Sequence, residues 1–132
     1  MAGTLTISTL SDGTYSTSAS NLTRGACQAW ANWDGANSPY SIRASYNVSS
    51  VTRNASGDYT VNYTNAITDA NYSALATCLM PDDGVANTAI GYYTGGGATS
   101  GATYTTTQCR LLVQKSGGSN FDVYIISFAV FR

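Results

Sequence analysis

The chain has 132 residues, of which 43% are hydrophobic: long enough for one domain with a substantial core and short for two. Six basic and seven acidic residues give a formal net charge of −1, and the basic side chains are scattered singly, which excludes a polyanion-binding footprint and with it nucleic acid as a partner. There is no histidine or glutamate and Lys115 is the only lysine, so the chain lacks both the usual near-neutral general base and the residues that cover exposed helix faces.

Ten Tyr and abundant Thr favour pleated, half-buried surfaces, while thirteen Gly with many Asn and Asp mark turns, so the composition predicts an all-β chain. Residues 4–23 are polar and nearly uncharged, with Leu5 and Ile7 on one strand parity and Asp12-Gly13 as a turn. This stretch is expected to be an edge strand followed by an extended arm with too few apolar groups to fold alone. Cys27, Ala29, Ala31 and Trp33 alternate with Gln28, Trp30 and Asn32, a strand closed by Asp34-Gly35. Trp30 and Trp33 fall on opposite faces, so one indole is core and the other is covered only by a second layer or another subunit.

Ile42, Ala44, Tyr46 and Val48 share one parity while Val51 takes the other, which predicts a bulge or twist at Ser49-Ser50. Asn54-Ala55-Ser56-Gly57-Asp58 is a hairpin turn, and Tyr59, Val61 and Tyr63 then alternate with Thr60, Asn62 and Thr64. Further strands are predicted at residues 72–80, 86–94, 104–115 and 121–131, separated by Pro81-Asp82-Asp83-Gly84, by the glycine-rich residues 95–101, and by residues 116–120. The last strand is apolar on both faces. Tyr124, Ile126, Phe128 and Val130 lie on one, and Val123, Ile125, Ala129 and Phe131 on the other. One face of a sandwich strand is buried by the opposing sheet, so the second calls for another cover, most simply a second copy of the chain. Val123, Ile125, Phe128 and Phe131 are therefore the candidate oligomer contacts.

Two segments carry a resemblance to a known group of proteins. AWANWDG (Ala29 to Gly35) and SIRASYNVSSVTRNASGDYTVNYTNAITDANYSA (Ser41 to Ala74) resemble a segment found in virion proteins of tailed bacteriophages, tail fibres and related surface proteins in particular. TLTISTLSDGT, from residue 4 to residue 14, is similar to the lead-in of such proteins, and from Thr77 onward no motif is recognised. Cys27 and Trp33 depart from the pattern, standing where a small or polar residue and a Phe are expected; both suit a strand. The resemblance implies a non-enzymatic β-structured module on a phage particle, commonly a homotrimer, assembled in the bacterial cytoplasm. It implies no binding residues and no one position on the particle.

The inventory of reactive groups points the same way. Without histidine there is no Ser-His-Asp or Cys-His arrangement and no imidazole ligand for zinc. Asp82 and Asp83 are adjacent in a turn, so they do not converge as a glycosidase pair, and they lack the spacing of a calcium loop. Neither a catalytic nor a metal site is expected, nor a cofactor. Cys27, Cys78 and Cys109 match no CxxC motif and are read as free, buried thiols. The Asn-x-Ser/Thr sequons at Asn21, Asn47, Asn54, Asn62 and Asn71 are read as products of composition, because the N-terminus MAGTLTIST has no secretory pattern. No run approaches the ~20 apolar residues of a membrane-spanning helix.

Tyr with Gly, Ser and Thr is also the chemistry of antibody paratopes, which makes Tyr92, Tyr93, Thr94 and Thr99 candidate contacts to a host glycan or surface protein. The expectation is thus an antiparallel β-sandwich of about eight strands, with an N-terminal strand and arm over residues 1–24 and the β-domain over 25–132. Two roles fit it: a fibre or receptor-binding knob at the tail, and a head-decoration protein whose partners are other virion proteins.

Overall fold

The computed structural model describes residues 3, 6–79, 88–92, 104–115 and 120–132. In chain order the elements are β1 (Thr9–Ser11), β2 (Ser16–Ser18), α1 (Ala19–Gly25), β3 (Cys27–Trp33), β4 (Ile42–Tyr46), β5 (Val48–Ala55), β6 (Asp58–Tyr63), β7 (Ser73–Leu79), β8 (Thr88–Tyr92), β9 (Gln108–Lys115) and β10 (Ile125–Phe131). The fold is all-β with antiparallel pairing throughout. A two-stranded β1-β2 ribbon precedes a four-stranded sheet of order β4-β3-β10-β7 and a second of order β5-β6-β9-β8.

The N-terminal stretch is more ordered than an extended arm. Asp12 Oδ1 accepts the backbone N–H groups of Thr14 and Tyr15 at 2.9 and 2.7 Å, and this turn reverses the chain between β1 and β2. Ser18 Oγ then accepts the N–H of Asn21 at 3.2 Å and caps α1. The composition opposes long helices, but a local serine cap is enough for two turns. None of the core residues comes from β1, β2 or α1.

Both four-stranded sheets contribute to one apolar cluster, and period-2 alternation selects its members. Ala29, Ala31 and Trp33 come from β3, and Ile126, Phe128 and Val130 from β10. Tyr59, Val61 and Tyr63 of β6 and Cys109, Leu111 and Val113 of β9 complete its centre. Trp33 meets Tyr59 edge to face, with ring centroids 5.8 Å apart.

Asn47 alone separates β4 from β5, and these strands belong to different sheets. Its backbone is left-handed (φ 53°), a conformation asparagine tolerates. Its Nδ2 donates to the carbonyls of Gln28 and Asn65 at 3.0 and 3.1 Å, and its Oδ1 accepts the Asn65 N–H at 2.8 Å. The expected irregularity at Ser49-Ser50 is present as a register shift between Val48 and Ser50. The larger event is at Asn47, two residues before Ser49, where the chain changes sheet.

Two strands are shorter than their alternation predicts. Thr105 Oγ1 accepts the N–H groups of Thr107 and Gln108 at 3.2 and 3.0 Å, so β9 begins at Gln108 and not at Tyr104. β10 begins at Ile125, because the preceding residues are bonded elsewhere. The Phe121 N–H reaches the Val113 carbonyl at 3.0 Å, and the Val123 carbonyl accepts the Gly35 N–H at 2.9 Å. A bend at Tyr124 then shifts the parity, which buries Val123 although it has the same parity as Ile125.

Candidate functional site

The charged groups are largely spent on the scaffold. Asp122 accepts a forked contact from Arg53, at 2.7 Å from Nη2 and 3.2 Å from Nε, and the Gly57 N–H at 2.8 Å. Burial alone raises its pKa, but Arg53, Gly57 and Tyr59 together hold the carboxyl below the usual carboxylate range. Asp58 is bound by Arg110, which holds its carboxyl low, and takes Asn54 Nδ2 at 3.0 Å. Arg43 bridges Asp34 at 3.2 Å and the Tyr124 carbonyl at 2.7 Å. Arg132 pairs with Asp69. Four turn or strand-end carboxylates therefore hold four arginines; sequence reading found the turn role of the carboxylates and missed the pairing, since no local spacing announces it.

A second cluster is aromatic. Tyr63 donates to Tyr72 across 3.2 Å, and the Tyr72 hydroxyl also lies 3.1 and 3.2 Å from the carbonyls of Thr105 and Gln108. Burial pushes the Tyr72 phenol and the Cys109 thiol each up to about 12. A thiol so held stays protonated at neutral pH, so it serves as packing and not as a nucleophile. No disulfide joins Cys27, Cys78 or Cys109. Among the described residues no cluster of three or more potential metal ligands occurs.

The two outer sheet faces differ in chemistry. On β5-β6-β9 the outward rows are polar: Ser50, Asn62 and Gln108 lie side by side, as do Thr52, Thr60 and Arg110. Asn62 Nδ2 donates across that surface to Ser50 Oγ at 3.0 Å. On β4-β3-β10-β7 the register places Tyr46, Trp30, Ala129 and Leu75 in one row spanning all four strands. Ile125 and Leu79 form a further apolar pair on the same face. Leu75 is 61% exposed, Tyr46 and Leu79 58% and Trp30 39%. The other positions on the face are small or neutral, with Asn32 Nδ2 donating to Ser127 Oγ at 2.8 Å. Arg43 of β4 reaches Asn32 Oδ1 at 3.5 Å and is paired with Asp34, so the exposed apolar row lies on a sheet with no unpaired charge beside it, the chemistry of a contact surface.

The predicted oligomer contacts divide across the two faces of β10. Ile125 and Phe131 are half-buried on the outward face. The side chains of Val123 and Phe128 are buried in the chain's own core. The missed members of the outer face, Trp30, Tyr46 and Leu75, were legible as strand residues; only the register shows that they line up. Of the receptor-contact candidates, Tyr92 ends β8, its backbone paired with Leu111. Tyr93, Thr94 and Thr99, the glycine-rich loop and Asp82-Asp83-Gly84 lie outside the described residues.

Comparison with protein-family models, with curated proteins and with solved structures finds no match for this chain.

Proposed function

We propose that the chain is a non-enzymatic bacteriophage virion protein, a β-sandwich module on the particle surface that mediates virion assembly. The observation that carries this reading is the uncharged apolar row Tyr46–Trp30–Ala129–Leu75, exposed on a sheet whose neighbouring charges are paired. A catalytic protein needs convergent reactive groups, whereas an assembly module needs an uncharged surface that can be dehydrated at low cost. The resemblance supports the phage context: Ala29 to Gly35 and Ser41 to Ala74 supply most of β3, all of β4, β5 and β6 and the first two residues of β7, so the recognised residues build part of the scaffold. In this reading the module is a homo-oligomer, with a homotrimer implied by the resemblance. Residues 92–99 meet the host surface, on the strength of their tyrosine and glycine chemistry.

The alternative, a head-decoration protein with purely structural partners, is favoured by one feature. The β1-β2 ribbon and α1 expose Leu10, Tyr15 and Leu22 outside the core, a short apolar foot suited to docking directly on another virion protein. The test is mass spectrometry of gradient-purified particles carrying either the whole chain or a chain lacking residues 2–24. The whole chain is expected in the particles and the shortened one is expected to fold but remain unincorporated. Absence of the whole chain from particles overturns the reading, and normal incorporation of the shortened chain removes the anchoring role of the foot.

A further inference from the structure

The outer face of β4-β3-β10-β7 is not uniform, and its two halves differ in relief. The β4-β3 half projects two large aromatic side chains, Tyr46 and Trp30, neighbours in register. The β10-β7 half carries a shallow groove of about 200 Å³ lined by Leu75, Ala76, Thr77, Ser127, Phe128 and Ala129. Its floor is low because Ala129 and Ser127 are small where Trp30 and Asn32 stand beside them on β3.

We infer that this face docks against a second copy of the same chain, with Trp30 of one copy seated in the Leu75–Ala129 groove of the other. The inference rests on the assembly reading above and names its partner. Three observations select a second copy. The strand positions of the face, Gln28, Trp30 and Asn32 on β3, Ala44 and Tyr46 on β4, and the alternating residues of β7 and β10, are uncharged; the charged side chain that reaches this face is Arg43 of β4, 3.5 Å from Asn32 Oδ1 and paired with Asp34. With that one charge already paired, the face meets its own copy without burying an unpaired charge. The paired charges Arg43–Asp34 and Arg132–Asp69 lie at strand ends, where a polar rim belongs.

The relief is self-complementary as well. Rotating a second copy by half a turn about an axis running between β3 and β10 lays Trp30 over Ala129 of that copy and Tyr46 over its Leu75, because these residues share one row. An aromatic anchor entering a groove is a usual form of an energetic hot spot.

The test uses the full chain in light scattering at micromolar concentration, with three variants at exposed or half-buried outer positions. The wild type is expected to be multimeric. Trp30→Ala, Ala129→Trp and Leu75→Arg are each expected to be monomeric, with far-ultraviolet circular dichroism near that of the wild type and a melting temperature that no longer rises with protein concentration. Mixing Trp30→Ala, which keeps the groove, with Ala129→Trp, which keeps the anchor, is expected to restore association. Should Ala129→Trp misfold, Leu75→Arg takes its place as the groove-blocked partner in the comparison with Trp30→Ala. A monomeric wild type overturns the inference, as does a Trp30→Ala variant of unchanged mass or a mixture that stays monomeric. A chain present on purified particles yet monomeric in solution keeps the assembly reading and loses this one.

Discussion

The Tyr59 hydroxyl stands 2.6 Å from Asp122 Oδ1 and 2.8 Å from the Gly35 carbonyl, so its single proton is shared between two acceptors that flank the core. Tyr59 belongs to β6, Gly35 follows β3, and Asp122 lies in the segment leading into β10. Residues far apart in sequence and drawn from both four-stranded sheets therefore converge on one phenol.

Removing the carboxylate should be costly. Asp122→Ala leaves Arg53, the Gly57 N–H and Tyr59 without their acceptor, and urea unfolding is expected to show a loss of roughly 2–4 kcal/mol. Asp122→Asn, which keeps an acceptor oxygen, is expected to lose less. Equal losses in the two variants would show that the charge and not the geometry carries the stabilisation.

Acid should unfold the protein through the same groups. Asp122 and Asp58 both have carboxyl pKa values below the usual carboxylate range. The unfolded chain therefore binds their protons first as the pH falls, so the stabilisation is complete above the ordinary carboxylate pKa and is lost as pH drops through the depressed native values. Melting temperature is expected to vary little from pH 7 to about pH 5 on this account and to fall below about pH 4. Asp58→Asn is expected to lower it at neutral pH and to flatten the acid limb.

Asn47 offers a test of the sheet crossing. Asn47→Ala loses three side-chain hydrogen bonds and puts a Cβ residue without their support at φ 53°, an expected cost of roughly 2–3 kcal/mol. Asn47→Gly loses the same bonds but adopts that backbone freely, so it is expected to be more stable than the alanine variant by about 1 kcal/mol. The reverse order, measured by chemical denaturation, would refute the conformational part.

The two tryptophans should respond oppositely. Trp33 is fully buried, and its Nε1 finds no hydrogen-bond partner among the described residues. Trp33→Ala is expected to cost roughly 3–5 kcal/mol, whereas Trp33→Phe removes the unsatisfied N–H along with some volume and is expected to cost about 1 kcal/mol or less. Trp30→Ala, judged on the isolated chain by denaturant titration, is expected to change stability by less than about 1 kcal/mol.

Local patterns in the sequence carried much of this structure. The alternation of Cys27 to Trp33 defines β3 to the residue, and Asn54 to Asp58 forms the predicted turn, with Gly57 at φ 63°. What escaped were features decided by partners far along the chain. Nothing near Arg53 points to Asp122, and nothing near Asn47 shows that β4 and β5 pair in different sheets. The outer row escaped for the same reason: Trp30, Ala129 and Leu75 become neighbours only once two strand registers are fixed. Phe128 looked equivalent to Phe131 by composition, and the alternation that separates buried from outward positions on β10 required knowing which face meets the second sheet.

The central claim, that this is a particle-surface assembly module, is tested most directly by electron microscopy of purified phage particles labelled with antibodies against the chain. The account predicts label at a fixed, repeated place on intact particles: at the tail for a fibre or knob, over the head for a decoration protein. Particles that carry no label, with the chain recovered only in the unassembled fraction of the lysate, would contradict it.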